Sequence, residues 1–259
     1  VLLGIAIWLT PGTAEAAVWP DSPLPATAES TVSIGAGQAM GVVLPFYDEE
    51  RDLGHLGLAG RWAPAEGVII SARYEVFRAV FPDDTVVRGS GDLRLGTAVR
   101  AWAGTQAAPQ VWLWWEAKLP NASDFTGDDP RQNVYGLGSD ETDVTIGAGL
   151  RWALEPVILD AVAGLAILGD PRSFANQDDA VVGWLSARTP LGPVVLLGRV
   201  GGRLPSPKNP ADASAMVGAE WAALQALPGL RLGGQIQVGF TQAAPDAAVA
   251  LWVGHAWGP

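Results

Sequence analysis

The sequence predicts an all-β protein, a transmembrane antiparallel up-and-down β-barrel of twelve strands. Three observations carry that expectation. From Thr31 onward, about twelve segments alternate side-chain character with period two. The connections between them alternate long and short. The composition also suits strands in lipid, with 32 Gly, 20 Pro and 12 Trp in 259 residues and only 17% charged residues. Gly and Pro at this level oppose long helices, and a 49% hydrophobic content is too high for disorder.

Composition removes several function classes. A formal charge of −11 argues against a nucleic-acid partner, whose footprint should be basic. The absence of cysteine excludes disulfide scaffolds, thiolate metal sites and cysteine nucleophiles. The two histidines, His55 and His255, are too few for a His-rich metal centre.

The N-terminus reads as a targeting segment. Val1 to Leu9 form an apolar run too short to cross a bilayer as a helix. Thr10-Pro11-Gly12 breaks it, and Ala14-Glu15-Ala16 supplies a small-x-small cleavage pattern. The expectation is a signal peptide over 1–16 without its basic n-region, a periplasmic segment over 17–30, and a barrel over 31–259. No later stretch holds eighteen uninterrupted apolar residues, so a helical anchor is not expected.

The strands follow in order. After a first segment from Thr31, Gly54–Ala63 sets Leu56, Leu58 and Trp62 against His55, Ala59 and Arg61. Gly67–Arg78 sets Val68, Ile70, Ala72, Tyr74 and Val76 against Ser71, Arg73 and Glu75. Gly91–Ala103 opposes Leu93, Leu95, Thr97, Val99 and Ala101 to Asp92, Arg94 and Arg100. The fifth opposes Val111, Leu113, Trp115, Ala117 and Leu119 to Gln110, Glu116 and Lys118. The sixth opposes Val144, Ile146, Ala148, Leu150 and Trp152 to Asp143, Thr145 and Arg151. Residues 157–168, 179–189, 193–204, 213–224, 228–240 and 246–257 continue the pattern less cleanly. Within 213–224, the run AEWAALQAL also fits a short helix.

Connections run long (46–53), short (64–66), long (79–90), short (104–109), very long (120–141) and short (155–156). They continue long (169–178), short (190–192), long (205–212), short (225–227) and moderate (241–245). Tight periplasmic turns and longer outer loops are the asymmetry of a membrane barrel. A sandwich has no reason to keep that order.

Charge follows the same partition. The second faces carry ten basic residues: Arg61, Arg73, Arg94, Arg100, Lys118, Arg151, Arg188, Arg199, Arg203 and Arg231. They carry six acids: Glu75, Asp92, Glu116, Asp143, Asp160 and Glu220. Most other acids lie in the long connections, as in Asp48-Glu49-Glu50 and Asp128-Asp129. These residues are the expected lumen lining, joined by Trp112 and Trp114, which share the face of Glu116 and suit a constriction with affinity for aromatic solutes. The inward charges either pair with one another and hold strand register or make a weakly anion-favouring pore. The remaining tryptophans suit interfacial girdle and core positions.

Four stretches carry a family resemblance. GSGDLRLG (Gly89 to Gly96), WWEAKLPNASD (Trp114 to Asp124), YGLGSDETDVTIG (Tyr135 to Gly147) and AILGDP (Ala166 to Pro171) stand in sequence. They resemble the outer-membrane protein family named for the meta pathway of phenol degradation, to which small-molecule transport is ascribed. Its marks are a G-x-GD strand opening, a K-L-P strand end and a Gly-Leu-Gly-Ser/Thr loop exit. The resemblance covers about residues 54–171, and the last third only by strand pattern. It implies a twelve-stranded outer-membrane barrel and no catalytic residues. The C-terminus departs from barrel habit, ending Ala256-Trp257-Gly258-Pro259 rather than on an aromatic residue.

Other chemistries fit poorly. GSGDLRLG lacks the Lys-Ser/Thr and the helix of a phosphate loop, and GAGQAMG (Gly35 to Gly41) has the wrong spacing for a dinucleotide fingerprint. No Ser lies in a nucleophile elbow, and His55 reads as a rim histidine. Asp140-Glu141-Asp143 lacks the spacing of an EF-hand loop. The expectation is therefore a non-enzymatic outer-membrane channel or transporter for small, hydrophobic or aromatic solutes. It needs no cofactor or metal, and its partners are lipid, lipopolysaccharide and solute, not nucleic acid. The alternatives are a plugged structural or lipid-interacting barrel and a periplasmic soluble β-sandwich binding module.

Overall fold

The computed structural model describes residues 29–43, 50–81, 87–105, 108–124, 142–169, 179–205, 211–222, 227–241 and 244–258. The expected signal peptide, all but the last two residues of the segment 17–30, and most of the connection 120–141 lie outside the described residues. Strands begin with β1 (Ser30–Val43), β2 (Glu50–Ala65), β3 (Val68–Phe81) and β4 (Val87–Ser90). Then come β5 (Leu93–Trp102), β6 (Gln110–Leu119), β7 (Ser123–Asp124), β8 (Asp143–Leu154) and β9 (Val157–Ile167). The chain continues through β10 (Ala180–Leu191), β11 (Val194–Arg203), β12 (Asp212–Ala222), β13 (Leu230–Gly239) and β14 (Ala247–Trp257).

Each long strand pairs antiparallel with the next, and β1 pairs with β14, Ser30 opposite Trp257. That pairing closes a barrel of twelve strands. The short pieces β4 and β7 pair with each other, and β4 with the end of β3, extending the wall at the long-loop end. Closure pairs each of the twelve long strands on both sides, and a sandwich of two open sheets is ruled out. The ambiguous AEWAALQAL run is a strand through Ala222, paired on both sides with β11 and β13. Trp257 lies in the closing strand, two residues before the end of the chain.

Turn chemistry explains the tight end. Glu66-Gly67 joins β2 to β3 with Gly67 at a φ of 77°, and Gly192-Pro193 joins β10 to β11 with Gly192 at 62°. Two-residue hairpin turns need positive φ, which glycine adopts without a Cβ penalty. Both chain ends of the barrel lie at this short-turn end.

The outer wall is apolar. Leu58, Ile70, Leu95, Leu113, Ile146, Leu185 and Leu251 are exposed, on alternate positions of their strands. Trp62, Trp102, Trp221 and Trp257 are exposed near the short-turn end, where an aromatic girdle belongs in a membrane barrel.

Two irregularities displace strict alternation. Between β2 and β3 the pairs jump from Leu56↔Phe77 to Gly57↔Glu75, which leaves Val76 as an extra residue. Beyond this bulge the faces exchange, and Arg78 turns inward with Glu75. A second shift, between Arg100 and Trp102, carries Trp102 outward to the girdle instead of inward beside Arg100. Strand β2 begins at Glu50, earlier than its alternation shows, so His55 is not a rim residue; it is buried inside.

Candidate functional site

The inner wall divides into two regions. From mid-height to the long-loop end, β2 to β8 carry a ladder of ion pairs. Glu75 Oε2 lies 3.4 Å from His55 Nδ1 and 3.6 Å from Arg78 Nε. Glu116 takes Arg73 Nη2 at 3.0 Å and a hydrogen bond from Arg94 Nη1 at 2.7 Å. Lys118 pairs with Asp143 and approaches Asp92 at 3.9 Å. The second oxygens of these two carboxylates receive backbone N–H groups, Gly169 N to Asp143 at 2.9 Å and Ala122 N to Asp92 at 3.1 Å. Four cations (Arg73, Arg78, Arg94 and Lys118) thus face four carboxylates (Glu75, Asp92, Glu116 and Asp143).

The GSGD opening has a packing reason here. A Cβ on Gly91 would stand 2.2 Å from the Glu75 carboxylate, while Gly91 N–H donates to the Glu75 carbonyl at 2.9 Å. Glycine lets the ladder's central acid pass beneath the strand opening.

Toward the short-turn end lies a cavity of about 310 Å3, bounded by β1, β2 and β9 to β14. Its apolar wall includes Ile158, Val195, Leu197, Met216 and Trp252. Its charged wall includes Arg61, Arg188, Arg199 and Arg231, with Glu29, Asp160 and Glu220. Asp160 is held by two guanidiniums, Arg151 through Nε at 2.7 Å and Nη2 at 3.1 Å, and Arg188 through Nη2 at 2.7 Å. Arg231 lies 3.4 Å from Glu29 and 3.6 Å from Glu220. At the barrel's ends, Arg203 faces Asp212 across β11 and β12, and Arg100 reaches the exposed Glu66 at 2.5 Å.

Between the regions sits an aromatic cluster. Trp112 and Trp114 are 3% and 7% exposed and pack with Ile69, Ala98 and Val162. Trp114 and Trp184 lie 5.8 Å apart, tilted by 49°, and Arg199 stacks on Trp184 at 4.8 Å. Trp112 Nε1 donates to Gln110 at 3.1 Å. Both indoles of the expected constriction therefore lie against the wall. Each inward indole is cross-strand from a glycine: Trp112 from Gly149, Trp114 from Gly147, Trp184 from Gly201 and Trp252 from Gly233. Cβ atoms at Gly147, Gly201 and Gly233 would stand 2.7, 2.3 and 2.1 Å from the paired tryptophan. At Gly147, Gly201 and Gly233 the missing Cβ thus makes room for an aromatic side chain on the inner wall.

All eighteen expected lining residues fall within the described strands or, for Asp92, at the opening of β5. The structure brings Arg73, Glu75, Arg94, Glu116, Lys118 and Asp92 into the ladder, and Arg61, Arg188, Arg199, Glu220 and Arg231 around the cavity. Arg151 joins the cavity through Asp160, whereas Arg100 and Arg203 stand apart at opposite ends. Arg78 was hidden by the bulge, which period-two counting cannot see. Trp184 and Trp252 were legible, since each shares alternation parity with inward neighbours such as Arg188 or Ala250.

Solved structures of like fold are outer-membrane barrels. An outer membrane channel from Pseudomonas putida F1 superposes with a TM-score of 0.67 at 14% identity, covering 92% of this chain and 98% of that one. The fold is that of an outer-membrane barrel. The KdgM porin in complex with disordered oligogalacturonate matches at a TM-score of 0.51 and 7% identity, over 88% of this chain and 99% of the porin. The translocator domain of the autotransporter NalP from Neisseria meningitidis matches at 0.51 and 14% identity, over 90% and 89%. No protein-family model matches the sequence. No curated protein matches it either.

Proposed function

We propose that this barrel sits in the outer membrane of a Gram-negative-type envelope and is a non-enzymatic passive channel for small, hydrophobic or aromatic solutes. One observation carries the reading: a closed barrel presents leucine and tryptophan outward while its inner wall is charged and encloses a cavity of about 310 Å3. An apolar exterior of this extent is stable only against lipid or another apolar surface, and charges facing inward keep water and polar groups in the interior. Tight turns at one end and longer connections at the other match periplasmic and outer faces. The channel and porin of like fold support the same reading. Residues 1–16 would direct export, and lipid and lipopolysaccharide would surround the wall.

A second reading, a plugged structural barrel, is favoured by the density of the ion-pair ladder on β2 to β8. Planar-bilayer recording of refolded protein separates the two. Discrete conductance steps support the channel; a silent bilayer containing correctly inserted barrel overturns it in favour of the plugged form.

A further inference from the structure

The chain enters β1 through the mouth of the cavity. Ser30 Oγ accepts the Ala63 N–H at 3.1 Å, and Glu29 turns inward to line the cavity, 3.4 Å from Arg231. The residues before Glu29 are therefore tethered at that mouth. The cavity reaches the strand ends there, at Pro190, Ala222 and Arg231. Toward the long-loop end the inward Leu53, Ala250 and Gln237 are 0%, 1% and 3% exposed, so the open side of the cavity is the short-turn side.

The tethered sequence is unlike a solvated linker. Residues 17–28 read AVWPDSPLPATA, with Trp19 and Leu24 among three prolines and a single charge. Pro20, Pro23 and Pro25 lack the N–H of a ladder, so the sequence does not continue β1 as a paired strand. Pro25 suits the second position of a turn over Leu24–Thr27, which brings Leu24 within about 7 Å of Thr27. Leu24 then stands at the mouth, where Val195 and Leu197 are the first inward residues of β11. The cavity of about 310 Å3 has room for about ten waters, the scale of a leucine side chain with the ring carbons of its two flanking prolines. Those prolines preset the backbone, so little freedom is lost on docking. The short tether presents Leu24 at an effective concentration of about 1 mM.

We propose that residues 17–28 dock in this cavity, with the Leu24 side chain against Val195 and Leu197, so that the barrel's own N-terminal segment competes with solute for the short-turn mouth. The inference goes beyond the channel reading and holds for a plugged barrel as well.

The chain has no cysteine, so an introduced thiol is the only one to label. The full chain is placed in phosphatidylcholine nanodiscs, where a water-soluble maleimide reaches both ends of the barrel. Leu24→Cys should label at least tenfold more slowly than Glu66→Cys, whose position at the same end has a side chain 81% exposed. Leu197→Trp fills the cavity from the wall without touching a charge. It should raise the rate at L24C at least tenfold and leave E66C unchanged. Met216→Trp does the same from β12 if L197W fails to fold, and heat-modifiable gel mobility reads the folding of each variant. Under mild oxidation L24C/L197C should cross-link within the chain, whereas L24C with Leu185→Cys on the outer wall should not. L24C labelling as fast as E66C, a rate unmoved by the filling variants in folded barrels, or cross-linking no greater than in the outer-wall control overturns the proposal and leaves the cavity to solute or water. The thiol is read without current, so protection in a silent barrel sinks the channel reading alone, while fast labelling in a conducting barrel sinks the docked segment alone.

Discussion

Depth along the outer wall decides what a buried charge should cost, and β10 offers a clean measurement. Leu185 and Leu191 both point outward and are almost equally exposed, at 59% and 58%. They differ in height: Leu191 closes the strand at the short turn, and Leu185 lies six residues above it. At about 3.4 Å per residue and a strand tilt of about 40°, each residue climbs about 2.6 Å along the barrel axis. The twelve residues of β10 then span about 29 Å, enough to cross an apolar band about 25 Å tall. Leu185 falls within a few ångströms of the middle of that band. Leu185→Arg should destabilise the barrel by about 2–4 kcal/mol, and Leu191→Arg by about 0–1 kcal/mol. At 1.4 kcal/mol per tenfold, the first is about a 30- to 700-fold change in the folding equilibrium. Equilibrium urea unfolding in phosphatidylcholine vesicles, followed by tryptophan fluorescence, reads both. Equal costs at the two positions, or a cost below about 0.5 kcal/mol at Leu185, would show that this wall does not face a bilayer, and the topology would have to be abandoned.

Three further outcomes follow from the inner wall. Asp160→Ala leaves Arg151 and Arg188 facing each other without their shared acid and should cost about 3–5 kcal/mol by the same unfolding assay; a loss under about 1 kcal/mol would mean that lumen water screens the site as it does a surface pair. Gly233→Ala drives a Cβ to within 2.1 Å of the Trp252 indole and should destabilise by about 1–3 kcal/mol, with Trp252→Leu restoring part of it; a neutral G233A would place the indole elsewhere. Reversal potentials under a salt gradient should show a weak anion preference, because the described inner wall carries more guanidinium than carboxylate; a clear cation preference would mean that rim acids govern the passage.

The sequence alone determined the class of the fold, the number of barrel strands and the two faces of most strands. The physical reason is local: a pleated strand alternates its side chains, so a wall with lipid on one side and water on the other writes its pattern into every second residue. Leu113 against Glu116, or Leu95 against Arg94, is readable without coordinates. Even the glycines at Gly67 and Gly192 announce their turns.

Tertiary structure decided what depends on neighbours across the sheet. One extra residue at Val76 exchanges the faces of β3 and brings Arg78 to Glu75, and the shift beside Arg100 sends Trp102 outward. Such bulges are a relation between two strands, and neither strand encodes one alone. The opposition of Trp114 to Gly147 and of Trp252 to Gly233 likewise needs a register that period two leaves open. Closure of the barrel then decides how charge is shared. Residues as distant as Glu29 and Arg231 meet only when β1 returns to β14, so the sharing of charge around the cavity exists only in the folded ring.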